Sequence, residues 1–176
     1  MLANGPARFG LVTRALHWSI AALILVQLPL GLRLSGLEPG LANLWLYGLH
    51  KSLGMTVFAL MAIRLVWHVY SPPPAPLGGG WQALAARLVH WTIYALMFAI
   101  PLSGWVASSA TGIDTVLFDR ITLPAIAPVS EAWESAAFAF HDIATKLFMG
   151  LLALHIGAAL KREMDGDGTL TRMIRG

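Results

Sequence analysis

From Leu88 to Ile113 the chain carries no Asp, Glu, Lys or Arg. A helix of about 20 such residues crosses a bilayer with its backbone groups bonded internally, and few other structures can bury so long an uncharged run. Three further stretches share this character. Ala15 to Leu32 lies uncharged between Arg14 and Arg33. About Leu44 to Tyr70 is interrupted by Lys51 near its start and Arg64 near its end, and about Ser135 to Leu160 holds Asp142 and Lys146 close to its beginning. Only 12% of residues are charged, against about 25% in a soluble domain. The composition excludes a soluble globular chain and predicts an all-α, four-helix transmembrane bundle, with helices at about 11–33, 44–70, 84–110 and 135–162. The 176 residues allow one integral-membrane domain over 1–176 and little else.

The connectors agree with four crossings. Ser71-Pro72-Pro73-Pro74-Ala75-Pro76-Leu77-Gly78-Gly79-Gly80 cannot be helical and reads as a linker. Gly36 to Gly40 is a short turn region, and residues 114 to 134, with Pro124 and Pro128, form the longest loop, expected to lie across the membrane surface. No small-residue cleavage site follows the first apolar run, so that helix is read as retained.

Basic residues set the orientation. With a cytoplasmic N-terminus, the inner side receives Arg8, Arg14, Arg64, Arg87, Lys161, Arg162, Arg172 and Arg175, and the outer side Arg33, Lys51, Arg120 and Lys146. Eight against four places both termini in the cytoplasm. The net charge of +3 comes with no basic stripe or RNA-binding motif, so no nucleic acid partner is expected. The absence of cysteine excludes disulfides, iron–sulfur clusters, thiolate zinc sites and the attachment motif of c-type haem.

Ionisable residues inside a membrane are costly and mark function by default. His50 and His141 directly precede Lys51 and Asp142 at the outer ends of the second and fourth helices, while His17, His90 and His155 lie toward the inner side. His68 sits beside the proline linker and reads as interfacial. On one helix, His141 and His155 are roughly 21 Å apart along the axis and only about 40° apart in azimuth. Both therefore face one interior seam, one near each surface.

Carboxylates or thiolates usually serve zinc and di-iron centres in bundles, and the inner histidines have no acid nearby in sequence. Two neutral imidazoles facing across a helix gap suit the axial positions of a haem iron, whose porphyrin supplies four nitrogens. Gly54, Gly150 and Gly157 would leave room for a flat macrocycle, or are close-packing residues of membrane helices. The depth argument leaves three candidate ligands at the inner tier: His17, His90 and His155.

Arg14-Ala15-Leu16-His17-Trp18, Leu49-His50-Lys51-Ser52-Leu53-Gly54, Arg64-Leu65-Val66-Trp67 running into Ser71-Pro72-Pro73-Pro74, and His141 followed by His155 resemble the bacterial cytochrome b561 family. The resemblance extends to the tail Gly168-Thr169-Leu170-Thr171-Arg172-Met173. It implies a four-helix bundle of the bacterial inner membrane with two haem b groups, His17 paired with His155 and His50 with His141. It leaves His90 as a non-ligand near the inner haem or a quinone site. The family includes superoxide oxidases, so the resemblance points to oxidation of periplasmic superoxide with reduction of ubiquinone. A different function is a membrane electron-transfer subunit, passing electrons between quinone and a separate dehydrogenase or a periplasmic partner protein. A bundle with purely structural histidines is the reading without redox chemistry.

The remaining charges are read against that scheme. Arg33 and Lys51 are candidates for attracting superoxide or another one-electron donor, although the outer segments sum to four basic and six acidic residues. Lys146, four residues after Asp142, reads as a helix-surface ion pair. Arg64 reads as a partner of an inner haem propionate, or as snorkelling to the headgroups. Trp18, Trp45, Trp67, Trp81 and Trp91 lie near helix ends and read as an interfacial belt.

Overall fold

The computed structural model describes residues 1–77 and 79–176; Gly78, within the predicted linker, lies outside them. Four long helices follow one another up and down: α1 (Leu11–Ser35), α2 (Leu44–Tyr70), α3 (Gly80–Ala110) and α4 (Glu131–Met164). All four are long and apolar enough to cross a membrane. A small antiparallel hairpin, β1 (Thr115–Leu117) and β2 (Ile121–Leu123), joins α3 to α4, with Thr115 opposite Leu123 and Leu117 opposite Ile121. A short helix α5 (Thr169–Ile174) ends the chain.

The helices outrun the hydropathy pattern at their polar ends. Helix α4 begins at Glu131 rather than near 135, with Glu131 and Glu134 in its first turn and Lys161 and Arg162 in its last. Both sets complement the helix dipole, which a hydropathy window does not register. Helix α3 starts at Gly80, the last residue assigned above to the linker, and α1 runs two residues past Arg33. The 114–134 segment is likewise more ordered than a surface loop. It holds the hairpin, whose tip residues Phe118 and Asp119 adopt φ of 50° and 56° with Arg120 N–H returning to the Leu117 carbonyl at 3.0 Å.

Helix α3 packs along α4, α1 along α2, and α2 against α3, whereas α4 makes no comparably close backbone approach to α1 or α2 among the described residues. The buried core comprises Ile20, Val57, Met61, Leu96, Met97, Ala144 and Phe148. On α2 and α4 these residues fall between the histidines near the two ends, so an apolar layer separates two polar tiers. Large apolar side chains such as Leu25, Val26, Ile63, Val66, Leu147 and Leu154 point outward, as lipid-facing surfaces require.

The two chain ends share one end of the bundle. Arg14 Nη1 donates to the Ile174 carbonyl at 2.6 Å, Trp18 Nε1 to Met173 at 3.0 Å, and Arg172 Nε to Ala7 at 2.9 Å. The Glu163 carboxylate accepts the Leu170 and Thr171 N–H groups at 2.8 and 3.0 Å, satisfying donors at the start of α5. Trp67 departs from the belt reading. Its indole N–H donates to the fully buried Thr13 hydroxyl at 2.9 Å and ties α2 to α1.

Candidate functional site

Six histidines distribute over four helices, and the fold gathers five of them into two tiers. At the hairpin end, His50 of α2 faces His141 of α4 with ring centroids 6.2 Å apart and planes at 71°. At the end holding the chain termini, His17 of α1 faces His155 of α4 at 6.4 Å and 62°. A ring nitrogen lies about 1 Å from its imidazole centroid and a metal–imidazole bond is about 2 Å long. Two imidazoles addressing one metal from opposite sides thus have centroids about 6 Å apart, and both pairs have that spacing.

His90 breaks the pattern. Its ring centroid is 5.2 Å from that of His155, too close for a metal between opposed rings, and the residue is exposed on the side of the bundle. Among the described residues no three His, Asp or Glu side chains gather closely enough to hold a metal ion unaided. A metal at either pair therefore needs most of its donors from elsewhere, which a porphyrin supplies.

The hairpin-end pair is shaped by neighbours that the sequence reading missed. His141 Nδ1 donates to the Ile100 carbonyl at 2.9 Å and lies 3.2 Å from Ser103 Oγ, which itself donates to Ile100 at 2.8 Å. That contact places the ring proton on Nδ1 and leaves Nε2 as the free base, the arrangement found in metal-bound histidines. A Cβ on Gly104 would sit 3.2 Å from His141 Cε1, and one on Gly31 would sit 3.1 Å from His50 Cε1. Each glycine lets a histidine ring lie against a neighbouring helix backbone. The available signal was a proline shortly before a glycine inside an apolar helix, Pro29-Leu30-Gly31 and Pro101-Leu102-Ser103-Gly104.

The glycines singled out earlier act otherwise. Gly54 faces Gln27, whose amide donates to the His50 carbonyl at 2.9 Å, while Gly150 and Gly157 face open space. His50 Nδ1 and Gln27 Oε1 are buried without hydrogen-bond partners among the described residues.

Lys51 is half-buried, and its ammonium donates to Ser108 Oγ at 2.7 Å. Thr115 donates to the same oxygen at 3.0 Å, and Ser52 Oγ accepts the Phe118 N–H at 2.8 Å, so this node fastens the hairpin to α2 beside His50. Arg33 is exposed in the last turn of α1. Lys146 pairs with Asp142 at 2.7 Å on the exposed surface of α4.

Arg64 occupies the centre of the other tier. Its Nη1 donates to His17 Nδ1 at 3.0 Å, and its guanidinium carbon lies 5.6 Å from the centre of the Tyr94 ring. A guanidinium only donates, so His17 accepts through Nδ1 and carries its own proton on Nε2. One turn along α2, His68 Nδ1 meets Tyr94 Oη at 3.3 Å.

The donor set fits haem at both tiers. At the hairpin end His141 has the tautomer needed for ligation through Nε2. At the other end, ligation through His17 Nε2 would move the ring proton to Nδ1 and displace the guanidinium, whose Nε is also buried without a partner among the described residues.

Residues 8–176 match the family described as prokaryotic cytochrome b561. "Cytochrome b561 homolog 2" of Escherichia coli (strain K12) is 34% identical over 177 aligned residues, covering 97% of this chain and 93% of that relative. "Cytochrome b561 homolog 1" of the same organism is 30% identical over 172 residues, covering 95% of this chain and 97% of its own. "Probable superoxide oxidase CybB" of Yersinia pestis is 25% identical over 162 residues, covering 90% and 91%. Apolar spans, paired histidines and a match over nearly the whole length converge: the chain belongs to the prokaryotic cytochrome b561 family, haem b-binding electron-transfer proteins that cross the bacterial inner membrane several times.

Proposed function

We propose that the chain is a single di-haem unit over 1–176 that takes electrons from superoxide at the outer face and delivers them to ubiquinone in the membrane. His50 and His141 hold one haem b, His17 and His155 the other, and both termini lie in the cytoplasm. The observation that carries this reading is the pair of imidazole–imidazole spacings, 6.2 and 6.4 Å, at opposite ends of one bundle. The excess of basic residues at the end holding the termini supports the orientation. The Yersinia relative's name supports the substrate.

When bound, haem b supplies an iron that accepts and releases one electron at a time. The chain's own residues do the rest. His141 is oriented by Ile100 and Ser103, and Gln27 and Gly31 fix the position of His50. Lys51 and the exposed Arg33 place positive charge near the outer tier, where an anion is attracted. Arg64 would meet a propionate of the inner haem, and His90 would border that haem or the quinone.

A second reading is that the chain is a membrane electron-transfer subunit for a separate dehydrogenase or a periplasmic partner. The exposed Phe118 and Ile121 on the hairpin, together with the engagement of Lys51 by Ser108, favour it. Mixing the purified protein with superoxide and ubiquinone separates the two. Sustained quinol formation without any partner is expected. Haem reduction without turnover would instead support the subunit reading, and a colourless protein made with ample haem precursor would remove both.

A further inference from the structure

Reduction of a quinone consumes protons as well as electrons, and the source of those protons is a separate structural question. Superoxide oxidation supplies none, because each superoxide gives up one electron and leaves as dioxygen. The balanced reaction is two superoxide plus quinone plus two protons giving two dioxygen plus quinol, so both protons must enter through the protein or from water.

At the end of the bundle holding the termini, α2 and α3 present two polar side chains each at one-turn spacing: Arg64 and His68 on α2, His90 and Tyr94 on α3. His68 and Tyr94 touch, with Nδ1 to Oη at 3.3 Å and ring centroids 6.4 Å apart. His68 Nε2 is buried with no hydrogen-bond partner among the described residues. A buried polar atom left unpaired is costly and calls for an explanation. None of the haem-ligand assignments uses either residue, and His68 is misplaced as a mere interfacial histidine, since its ring turns inward onto Tyr94.

We propose that Tyr94 and His68 deliver protons to a quinone bound at this end of the bundle; the proposal rests on the quinone-reducing function above. With its proton on Nδ1, His68 donates to Tyr94 Oη and leaves the phenolic proton free to point at a quinone oxygen. As the quinone gains an electron, the Tyr94 O–H bond breaks and a quinone O–H bond forms. The His68 Nδ1 proton passes to the phenolic oxygen, and water at the nearby surface protonates His68 at Nε2. This leaves His68 with its proton on Nε2; exchange through water returns the proton to Nδ1, and a second electron with a second relay then completes the quinol. Tyr94 is thus a catalytic residue and His68 a positioning and supply residue behind it. The other charged group facing the dyad is Arg64 on α2, which lies against the Tyr94 ring; His90 sits one turn from Tyr94 on α3 with its ring against His155 of α4, and His17 of α1 meets Arg64.

The test uses the haem-loaded protein with its haems pre-reduced. Reoxidation is followed by haem absorbance after mixing with decylubiquinone, and separately with ferricyanide, which takes electrons without protons. Tyr94→Phe and His68→Gln should keep wild-type haem content, wild-type spectra and wild-type reoxidation by ferricyanide. Quinone-driven reoxidation should fall by about 10²-fold, the usual scale of a lost general acid. Added imidazole should restore the His68→Gln rate and leave Tyr94→Phe unchanged. Full quinone rates in both variants, or an equal loss with ferricyanide, would overturn the dyad alone. A wild-type protein that ferricyanide oxidises and decylubiquinone does not would overturn the quinone-reducing function and the dyad with it.

Discussion

The Lys51 ammonium donates to Ser108 Oγ at 2.7 Å, on the same oxygen that receives Thr115. The charge beside the hairpin-end histidine pair is therefore anchored at the root of the hairpin, where the side chain both fastens a loop and contributes a fixed positive potential. Lys51→Glu should slow superoxide-driven haem reduction by about tenfold at low salt, within the range of electrostatic steering. The deficit should shrink as ionic strength rises from about 0.01 to 0.15 M and the screening length falls from about 30 to 8 Å. A stopped-flow salt series checks this, and a salt-independent deficit would assign Lys51 to hairpin anchoring alone.

Gly104 and Gly31 should be as sensitive as the histidines they abut. A side chain at Gly104 starts 3.2 Å from His141 Cε1 and 3.3 Å from Nδ1, so Gly104→Val drives the ring off the Ile100 carbonyl. The expected result is loss of one haem of two, with the inner haem retained as an internal control of folding. Haem-to-protein ratio and the reduced-minus-oxidised spectrum measure it. Retention of both haems would show that His141 needs no such close approach.

The membrane crossings and the placement of the histidines along their helices were legible in the sequence because both follow from one-dimensional quantities, a run of apolar residues and a rise per residue. The neighbours of those histidines were not. That Gly104 rather than Gly150 lies against a histidine depends on how α3 is rotated against α4, and no pattern along either helix alone encodes that rotation. Trp67 was misread for a similar reason. Its place near a helix end suits a headgroup belt, and only the packing of α1 on α2 brings its indole to Thr13. The hairpin went unseen because three-residue strands carry too little alternation to register, and because its anchors, Lys51, Ser52 and Ser108, lie on other elements.

The Thr13–Trp67 contact gives a stability prediction. Thr13 is fully buried, and Thr13→Val keeps its volume while leaving the Trp67 indole N–H without its acceptor. Interhelical hydrogen bonds in membranes contribute about 0.6 kcal/mol on average and up to about 1.7 kcal/mol. A loss within that range is expected in a thermal or denaturant titration in detergent, with haem spectra unchanged at low temperature. Val at this site with no loss would mean that the indole finds another acceptor.

Arg64 and His17 compete for one proton position. In the present arrangement the guanidinium donates to His17 Nδ1, which must then be unprotonated. Iron ligation through Nε2 puts the proton on Nδ1, so the contact and the ligation exclude one another, and loading the inner haem should release Arg64 toward a propionate. Removing that positive charge favours the oxidised, more positive iron. Arg64→Met should therefore lower the midpoint potential of the inner haem, by about 60 mV for each tenfold change in the one-electron equilibrium, and leave the outer haem unmoved. A spectroelectrochemical titration resolving the two haems provides the measurement. A neutral side chain at this position removes the competitor for Nδ1 as well, so haem should bind the Arg64→Met apoprotein no more slowly than the wild type. An unchanged inner potential would place Arg64 away from the propionate once haem is bound, and slower haem binding would show that its contact with His17 prepares the site instead of blocking it.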